Sequence, residues 1–198
     1  MGHFALGYLL GKASAKIMDI RLNLALLFTV STIPDIDLLL FRFMVHRGPT
    51  HSLIFSLLVF LPFFVLYKKK AIPYFVALLS HSLIGDIFSG GIQLFWPVSK
   101  DWIFISTLSG RDPISVSLEL ALFVACTLII IVNKDFQRIL FNKTRLIYWI
   151  IPFGAVLGPL LFATAPYDNF PLLLVAPSLF YLAIFSYAMI AVKHKDTI

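Results

Sequence analysis

Six long apolar segments dominate this chain and restrict the folds open to it. They cover residues 22–44, 52–67, 72–88, 113–133, 146–165 and 170–192. An α-helix needs roughly 20 apolar residues to cross a hydrocarbon core of about 30 Å. Hydrophobic residues make up 60% of the 198 positions and charged residues only 13%, whereas a soluble domain carries about 25% charged residues. We therefore predict an all-α fold, a polytopic helical bundle in a membrane with about six transmembrane spans.

The segment before these spans, residues 3–18, is shorter and more mixed in composition. We predict a short N-terminal helix that packs in the bundle or enters the membrane without crossing it. The length suits one integral membrane domain over residues 1–198. Residues 1–112 carry the polar motifs described below, and residues 113–198 contribute additional transmembrane helices.

The basic residues predict the orientation of the bundle. Twelve of the 16 Lys and Arg fall on alternate connectors, and the side richer in these residues is normally cytoplasmic. The C-terminus is then cytoplasmic, and the 42–52 connector and the 89–112 loop face the opposite, extracytoplasmic side. The cytoplasmic set is Lys12, Lys16, Arg21, Lys68, Lys69, Lys70, Lys134, Arg138, Lys143, Arg145, Lys193 and Lys195; the opposite set is Arg42, Arg47, Lys100 and Arg111.

The net charge of +6 does not indicate a nucleic-acid partner. The basic residues cluster at the ends of apolar runs, as topology signals do, and they form no basic stripe interleaved with exposed aromatic residues. The lone cysteine, Cys126, lies within an apolar run and is expected to be a small buried filler. The composition predicts the lipid bilayer as a partner, and the polar motifs described below predict a small-molecule or lipid substrate.

Three polar islands interrupt the apolar runs, and we expect them to meet at one face of the membrane. Pro34-Asp35-Ile36-Asp37 lies in the outer half of the first span. His46-Arg47-Gly48-Pro49-Thr50-His51-Ser52 connects the first two spans, and His81 to Asp86 ends the third. His3 reaches the same face if the first helix runs inwards.

Three aspartates in apolar sequence need a compensating charge. Each costs roughly 3 kcal/mol at mid-membrane, and one arginine, Arg47, cannot neutralise all three. Neutral imidazoles do not cancel charge, but imidazole and carboxylate together form a ligand set for zinc, manganese or iron. We predict a divalent metal site, most consistent with zinc. We expect seven residues either to bind the metal or to hydrogen-bond to a residue that binds it: His3, Asp35, Asp37, His46, His51, His81 and Asp86.

The spacing within the islands leaves several arrangements open. Asp35 and Asp37 lie on different faces of a regular helix, so either both reach the ion through a backbone loosened at Pro34, or one binds and the other supports it. His81 and Asp86 are about 140° apart around an α-helix, and a helix that ends near Gly85 would let them converge. Thr50 is expected to cap the helix that begins near Ser52.

These islands, with Gly2-His3 before them and Leu94-Phe95-Trp96-Pro97 after them, resemble the YdjM-type family of inner-membrane, metal-dependent hydrolases. The resemblance covers roughly residues 1–100, and His46 to Ser52 is its most specific part. The family usually places an aspartate four residues after the histidine of the third island, whereas here Asp86 is five residues after His81. The pattern is also distantly similar to the zinc-dependent phospholipase C and P1-type nuclease group.

The resemblance implies an inner-membrane protein and a hydrolase, and the distant similarity favours phosphoester substrates. We therefore predict a metal-activated water that attacks an ester or phosphoester, possibly of a lipid, at the outer interface. Arg47 is expected to stabilise negative charge on the substrate, and Asp37 is a second catalytic candidate. The alternatives are an ion- or proton-coupled transporter that uses buried Asp and His, and a non-catalytic protein that a metal stabilises.

Overall fold

The structure is a computed structural model that describes residues 2–40, 45–88, 90–106, 108, 112–141, 144–162 and 171–193. Several sequence-based predictions lie outside these ranges. They are the end of the first span at residues 41–44, the turn between the last two spans, and the topology residues Arg42, Arg111, Lys143 and Lys195.

Eight α-helices make up most of the described chain, and no β-strand occurs in its described ranges, where Ile92 and Ile103 form one isolated antiparallel bridge. The prediction of an all-helical fold is confirmed. The α-helices are α1 (Gly2–Ile17), α2 (Leu24–Thr32), α3 (Leu53–Tyr67), α4 (Ile72–Ser80), α5 (Pro113–Val132), α6 (Asp135–Leu140), α7 (Ile147–Phe162) and α8 (Val175–Lys193). Short 3-10 helices cover Ile33–Leu40, Pro49–His51, Lys68–Ala71 and Leu172–Leu174, and a π-helical turn covers His81–Asp86.

Two helical segments in the described ranges are long and apolar enough to cross a membrane, Pro113–Val132 and Leu172–Val192. The other four predicted spans form shorter helices, so six spans remain a prediction. The first predicted span shows why its helix is short: α2 ends at Thr32 and the chain tightens into a 3-10 helix that contains Pro34. Proline removes an intrahelical hydrogen bond and clashes with the preceding turn.

Helix α3 exposes apolar side chains along most of its length. Leu58, Val65 and Leu66 are each more than 60% exposed, and Leu57, Leu61 and Phe64 are also exposed. A monomer in water rarely presents a continuous apolar surface of this kind. This face of α3 is suited to lipid.

The core forms around α1, α2, α7 and α8. Phe4 of α1 packs against Phe28, Tyr181 and Phe185 with ring centroids 5.4–6.3 Å apart. Trp149 of α7 is fully buried against Phe185. Helix α1 therefore lies inside the bundle, as predicted for the N-terminal segment.

Two glycines one turn apart let α1 approach its neighbours closely. A Cβ on Gly7 would lie 2.3 Å from the Cβ of Ser31 in α2, and a Cβ on Gly11 would lie 2.6 Å from Leu27 Cδ1. Gly7 and Gly11 form a G-x-x-x-G pattern, which permits close helix packing in membranes. This close packing of α1 is not among the features that we predicted from the sequence.

A buried ion-pair network joins α1 to α6. Asp135 is 1% exposed; it accepts a hydrogen bond of 2.8 Å from Tyr8 and pairs with Lys12 and Arg138. Arg138 also donates to the Leu22 carbonyl at 2.9 Å. The basic connector predicted between the fourth and fifth spans thus contains a short helix that is tied to the start of the chain.

We predict that Gly7→Ala destabilises the protein by about 1–3 kcal/mol, the usual cost of overpacking a core. The new methyl group would overlap the Ser31 Cβ, which is attached directly to the backbone and cannot rotate away. Thermal unfolding in detergent would measure the change. Gly154→Ala is the matched control because, among the described residues and apart from its own helical turn, no atom lies within 4 Å of its added Cβ. Equal stability of Gly7→Ala and wild type would contradict the predicted overlap.

Candidate metal centre

Asp35 and Asp37 lie on the 3-10 helix Ile33–Leu40, which brings their side chains closer together around the helix axis than an α-helix would. Residues two apart lie about 120° apart around a 3-10 helix, compared with about 160° around an α-helix. Asp37 is buried, and the side chain of Asp35 is 16% exposed. The change of helix type after Thr32 brings both carboxylates to the same cluster.

The π-helical turn at His81–Asp86 resolves the five-residue spacing of the third island. In a π-helix, residues i and i+5 are hydrogen-bond partners and therefore lie one turn apart on the same face. The Ile87 N–H donates to the Ser82 carbonyl at 3.1 Å, which is this i+5 pattern. The helix does not end near Gly85 as expected; it widens, and His81 and Asp86 face the same site.

The segment from His46 to Ser52 folds as a turn and then a short 3-10 helix, Pro49–His51. Ser52, not Thr50, caps α3, because its hydroxyl accepts the Phe55 N–H at 3.1 Å. The prediction that Thr50 is the cap is wrong, since the Thr50 hydroxyl instead donates to Asp37 Oδ2 at 3.0 Å. Ser52 is a better cap because it stands directly before the first residue of α3, Leu53.

Four side-chain atoms from three separate segments meet at the centre of the cluster. Asp86 Oδ2 lies 3.1 Å from His51 Nε2 and 3.2 Å from His81 Nε2. Asp35 Oδ1 lies 3.4 Å from His81 Nε2 and 3.8 Å from His51 Nε2. Ligands placed about 2.0–2.1 Å from a tetrahedral zinc ion are about 3.3 Å from one another. These separations therefore fit a shared divalent ion.

The hydrogen bonds of the imidazole rings leave the central nitrogens free to bind a metal. His81 Nδ1 lies 2.7 Å from the Ser31 carbonyl oxygen, which can only accept, so Nδ1 carries the proton. The Thr50 hydroxyl gives its one proton to Asp37 and can only accept from His51 Nδ1, which is 3.1 Å away. In both neutral rings Nε2 then presents its lone pair.

Three of the four central atoms have no hydrogen-bond partner among the described residues: His51 Nε2, His81 Nε2 and Asp86 Oδ2. Buried polar atoms are normally satisfied, and each unsatisfied atom costs about 1–3 kcal/mol. Their convergence shows that the buried His and Asp groups could hold a metal ion. Within the described ranges, two groups of three residues could each hold a metal ion, with their candidate ligand atoms within 4.8 Å of one another: His3, His81 and Asp86; and Asp35, His46 and His51.

His3 and His46 contact different histidines of the cluster. The His3 ring stacks on the His81 ring at 3.9 Å between centroids, and His3 Nε2 is 3.6 Å from Asp86 Oδ1. His46 packs edge-on against His51, and its side chain is 42% exposed. His46 is therefore the member of the cluster most open to the surroundings.

Both oxygens of Asp37 are occupied by protein donors. Oδ1 accepts from His46 Nδ1 at 3.0 Å, and Oδ2 accepts from the Arg47 N–H and the Thr50 hydroxyl, each at 3.0 Å. This arrangement places Asp37 behind the histidines, where it orients their rings, and Asp35 at the centre. Metal-binding histidines are commonly oriented by such a carboxylate.

Arg47 is held from both its backbone and its side chain. Its φ of +64° places it in the left-handed region, its carbonyl accepts the Gln93 N–H at 3.0 Å, and its guanidinium lies 3.0 Å from Asp86 Oδ1. Gly90 gives the guanidinium room, since an added Cβ would lie 2.8 Å from Arg47 Nη1. The structure thus places Arg47 beside a carboxylate at the edge of the cluster.

The cluster contains more negative than positive charge when the histidines are neutral. Asp35, Asp37 and Asp86 contribute three carboxylates, and Arg47 contributes one cation. Burial disfavours a charged imidazole, but the carboxylates of Asp37 and Asp86 outweigh burial and raise the pKa of His51. A divalent cation would supply the same compensation with the histidines neutral.

All seven predicted ligands and Arg47 lie in this cluster, but sequence reasoning missed several supporting residues. Ser31 orients His81 through its carbonyl, and Thr50 orients His51. Gly85 lets His3 approach, because an added Cβ would lie 2.3 Å from His3 Nδ1. Glu119 of α5 accepts a hydrogen bond from the Gly2 nitrogen at 3.4 Å, at the start of α1. The sequence signal that could have pointed to these supporting residues is that each is a polar or small residue within or next to an apolar helix.

Comparison with known families matches residues 1–190 to a family described as YdjM inner membrane protein. The match extends well beyond the first 100 residues, to which the sequence motifs are confined. Neither the search of curated proteins nor the search of solved structures found a match. The family match covers nearly the whole chain, and the protein therefore belongs to the YdjM inner membrane protein family.

Proposed function

We propose that the cluster binds one divalent cation and that the protein is a membrane-bound hydrolase of an ester or phosphoester. The observation that carries this proposal is the convergence of three buried atoms without hydrogen-bond partners, His51 Nε2, His81 Nε2 and Asp86 Oδ2. Asp35 Oδ1 supplies a fourth oxygen at similar separations. Two imidazole nitrogens and two carboxylate oxygens suit zinc better than manganese, which prefers more oxygen ligands.

The bound cation would lower the pKa of a water molecule and polarise the scissile ester. His46 would take the proton of the attacking water. Its Nδ1 is tied to the Asp37 carboxylate at 3.0 Å, which leaves Nε2 proton-free on the most exposed ring of the cluster. Asp37, first considered as a catalytic group, then acts as a positioning residue for His46 and His51.

Arg47 would bind the negative charge that develops on the substrate. Its guanidinium is only 22% exposed and is fixed by Asp86, so it is already oriented before a substrate binds. A phosphoester suits this arrangement because arginine recognises phosphate oxygens through paired N–H groups. The negative charge of the phosphoester also requires a cationic group near the reacting centre.

The surroundings of the cluster favour a substrate supplied by the bilayer. The loop at residues 90–106 is hydrogen-bonded to the His46–Ser52 segment through Gln93 to Arg47, and to the start of α3 through Leu53 to Leu94, each at 3.0 Å. This loop exposes Phe95, Val98, Trp102, Phe104 and Ile105. Aromatic and apolar side chains of this kind anchor a protein at the membrane interface. We place the site at the extracytoplasmic interface, following the distribution of basic residues.

We predict that the purified protein binds about one equivalent of zinc and that His51→Ala and Asp35→Asn lower the affinity at least 100-fold, since each removes a proposed ligand. Metal content by mass spectrometry and competition with a chromogenic chelator would measure this. Asp19→Asn is the control, because Asp19 is exposed and lies beyond the other end of α1. A wild-type protein without stoichiometric metal would refute the site; metal without hydrolysis would support the non-catalytic alternative.

A second prediction separates proton transfer from metal binding. His46→Ala is expected to keep the metal but lower kcat about 10²–10⁴-fold, the usual contribution of a general base. Chromogenic phosphodiester and carboxylic ester substrates in detergent micelles would provide the rates. Loss of metal from His46→Ala would instead make His46 a ligand, and unchanged kcat would exclude it as the base.

A third prediction concerns the hydroxyl that links Asp37 to His51. Thr50→Val keeps the shape of the side chain but removes the hydroxyl, so His51 Nδ1 loses its closer acceptor and keeps only Asp37 Oδ2, 3.3 Å away. Metal affinity should fall about 10–100-fold, the usual effect of losing such a supporting contact. Thr50→Ser retains the hydroxyl and should bind metal almost as wild type does. Equal affinities of the valine and serine variants would contradict this role of Thr50.

A further inference from the structure

A polar cavity lies at the other end of α1 from the candidate metal centre. It has a volume of about 630 Å³ and is lined by Arg21, Leu22, Asn23, Gln137, Arg138 and Phe141. An adjoining cavity of about 230 Å³ shares Arg21, Leu22 and Arg138 and adds Lys12 and Lys16 to the lining. Since α1 rises about 1.5 Å per residue, Lys16 is about 20 Å along the helix from His3. The two sites are separate.

We infer that this basic cleft, formed by Lys12, Lys16, Arg21, Asn23, Gln137 and Arg138, binds a phosphate group, either of an anionic lipid or free in solution. Its position between the α1–α2 connector and α6 gives it walls from two parts of the chain. Its volume falls in the range of small-molecule sites, roughly 300–1,000 Å³. Basic pockets at the cytoplasmic ends of membrane helices are suited to lipid headgroups.

The charge of the cleft is only partly compensated. Asp135 pairs with Lys12 and Arg138. No acidic group lies within 4.0 Å of Lys16 or Arg21 in the described part of the chain. With four cations and one buried carboxylate, the cleft carries a positive excess that would attract an anion.

Contacts around the cleft fix several of its donors in place. Arg138 is held by Asp135 at 2.8 Å and by the Leu22 carbonyl at 2.9 Å, which uses two of its five N–H groups. Asn23 uses its Oδ1 to cap α2 at Leu26, at 3.2 Å, which leaves its amide N–H₂ as a donor at the cleft. Leu22 and Phe141 add apolar lining that suits the glycerol and upper acyl region of a lipid.

This arrangement is more specific than the general excess of basic residues on one side of a membrane protein. Lys68, Lys69 and Lys70 follow that topological pattern too, but they are exposed and line neither cavity. They therefore offer a matched comparison within the same protein. If only the positive-inside pattern mattered, both groups of cations would contribute equally to anion binding.

The test uses the full-length protein in a neutral detergent, with thermal stabilisation and native mass spectrometry as readouts. The probes are short-chain phosphatidylglycerol, short-chain phosphatidylcholine and inorganic phosphate. One cation near an anionic headgroup contributes about fivefold in affinity. The variant Lys16→Gln/Arg21→Gln should therefore bind phosphatidylglycerol about 25-fold more weakly, whereas Lys69→Gln/Lys70→Gln should bind it as wild type does. Both variants leave the Asp135 network intact.

Each outcome supports or overturns the proposal. Binding of phosphatidylglycerol that depends on Lys16 and Arg21 identifies a lipid site, and binding of inorganic phosphate with the same dependence identifies a soluble anion. Equal binding of phosphatidylglycerol and phosphatidylcholine would overturn the proposal. Equal losses in the Lys16/Arg21 and Lys69/Lys70 variants, or no binding of any anion, would overturn it as well. The metal centre does not enter this test, because its residues are unchanged in both variants.

Discussion

Three carboxylates held beside one guanidinium are the constraint on which the motif-bearing half of this protein depends. Asp37 and Asp86 are buried, and Asp35 is nearly so. Removing a charge from water costs several kcal/mol unless it is paired and hydrogen-bonded. Asp37 meets this requirement with protein donors, and Arg47 satisfies one oxygen of Asp86. The remaining oxygens at the centre face two imidazole nitrogens, which is the environment that a divalent cation requires.

The backbone departs from regular α-helix where these side chains must converge. Asp35 and Asp37 lie on a 3-10 helix, His81 and Asp86 on a π-helical turn, and Arg47 has a left-handed conformation. Each departure alters the angular spacing that a regular helix would impose. Such conformations are less stable than an α-helix and persist when surrounding contacts hold them. The hydrogen bonds that join Arg47 and Leu53 to the 90–106 loop hold the backbone around Arg47 in this way.

The sequence was sufficient to predict the helical class and the meeting of the polar islands, because buried carboxylates and histidines in apolar runs have few physical explanations. It was not sufficient to assign the separate roles of Asp35 and Asp37. Those roles depend on the helix type after Thr32, which propensity does not specify. His81 donates to the backbone carbonyl of Ser31, 50 positions away. Because every residue has a backbone carbonyl, the sequence cannot identify this partner. Thr50 matched a helix-cap pattern that Ser52 fulfils, so local sequence favoured the wrong residue.

Helix α1 connects the two polar ends of the bundle, and its small residues explain how a 16-residue helix can do so. Gly7 and Gly11 bring it against α2 and α4, and Ser31, the residue that Gly7 contacts, orients His81 through its carbonyl. At the start of the helix His3 stacks on His81, an approach that Gly85 allows. Towards the other end Tyr8 and Lys12 hold Asp135. Because α1 packs tightly against its neighbours at these glycines, it cannot shift at one end without moving at the other, since packed cores transmit displacement. The position of His3 in the candidate metal centre is therefore set by the same packing that fixes the walls of the basic cleft.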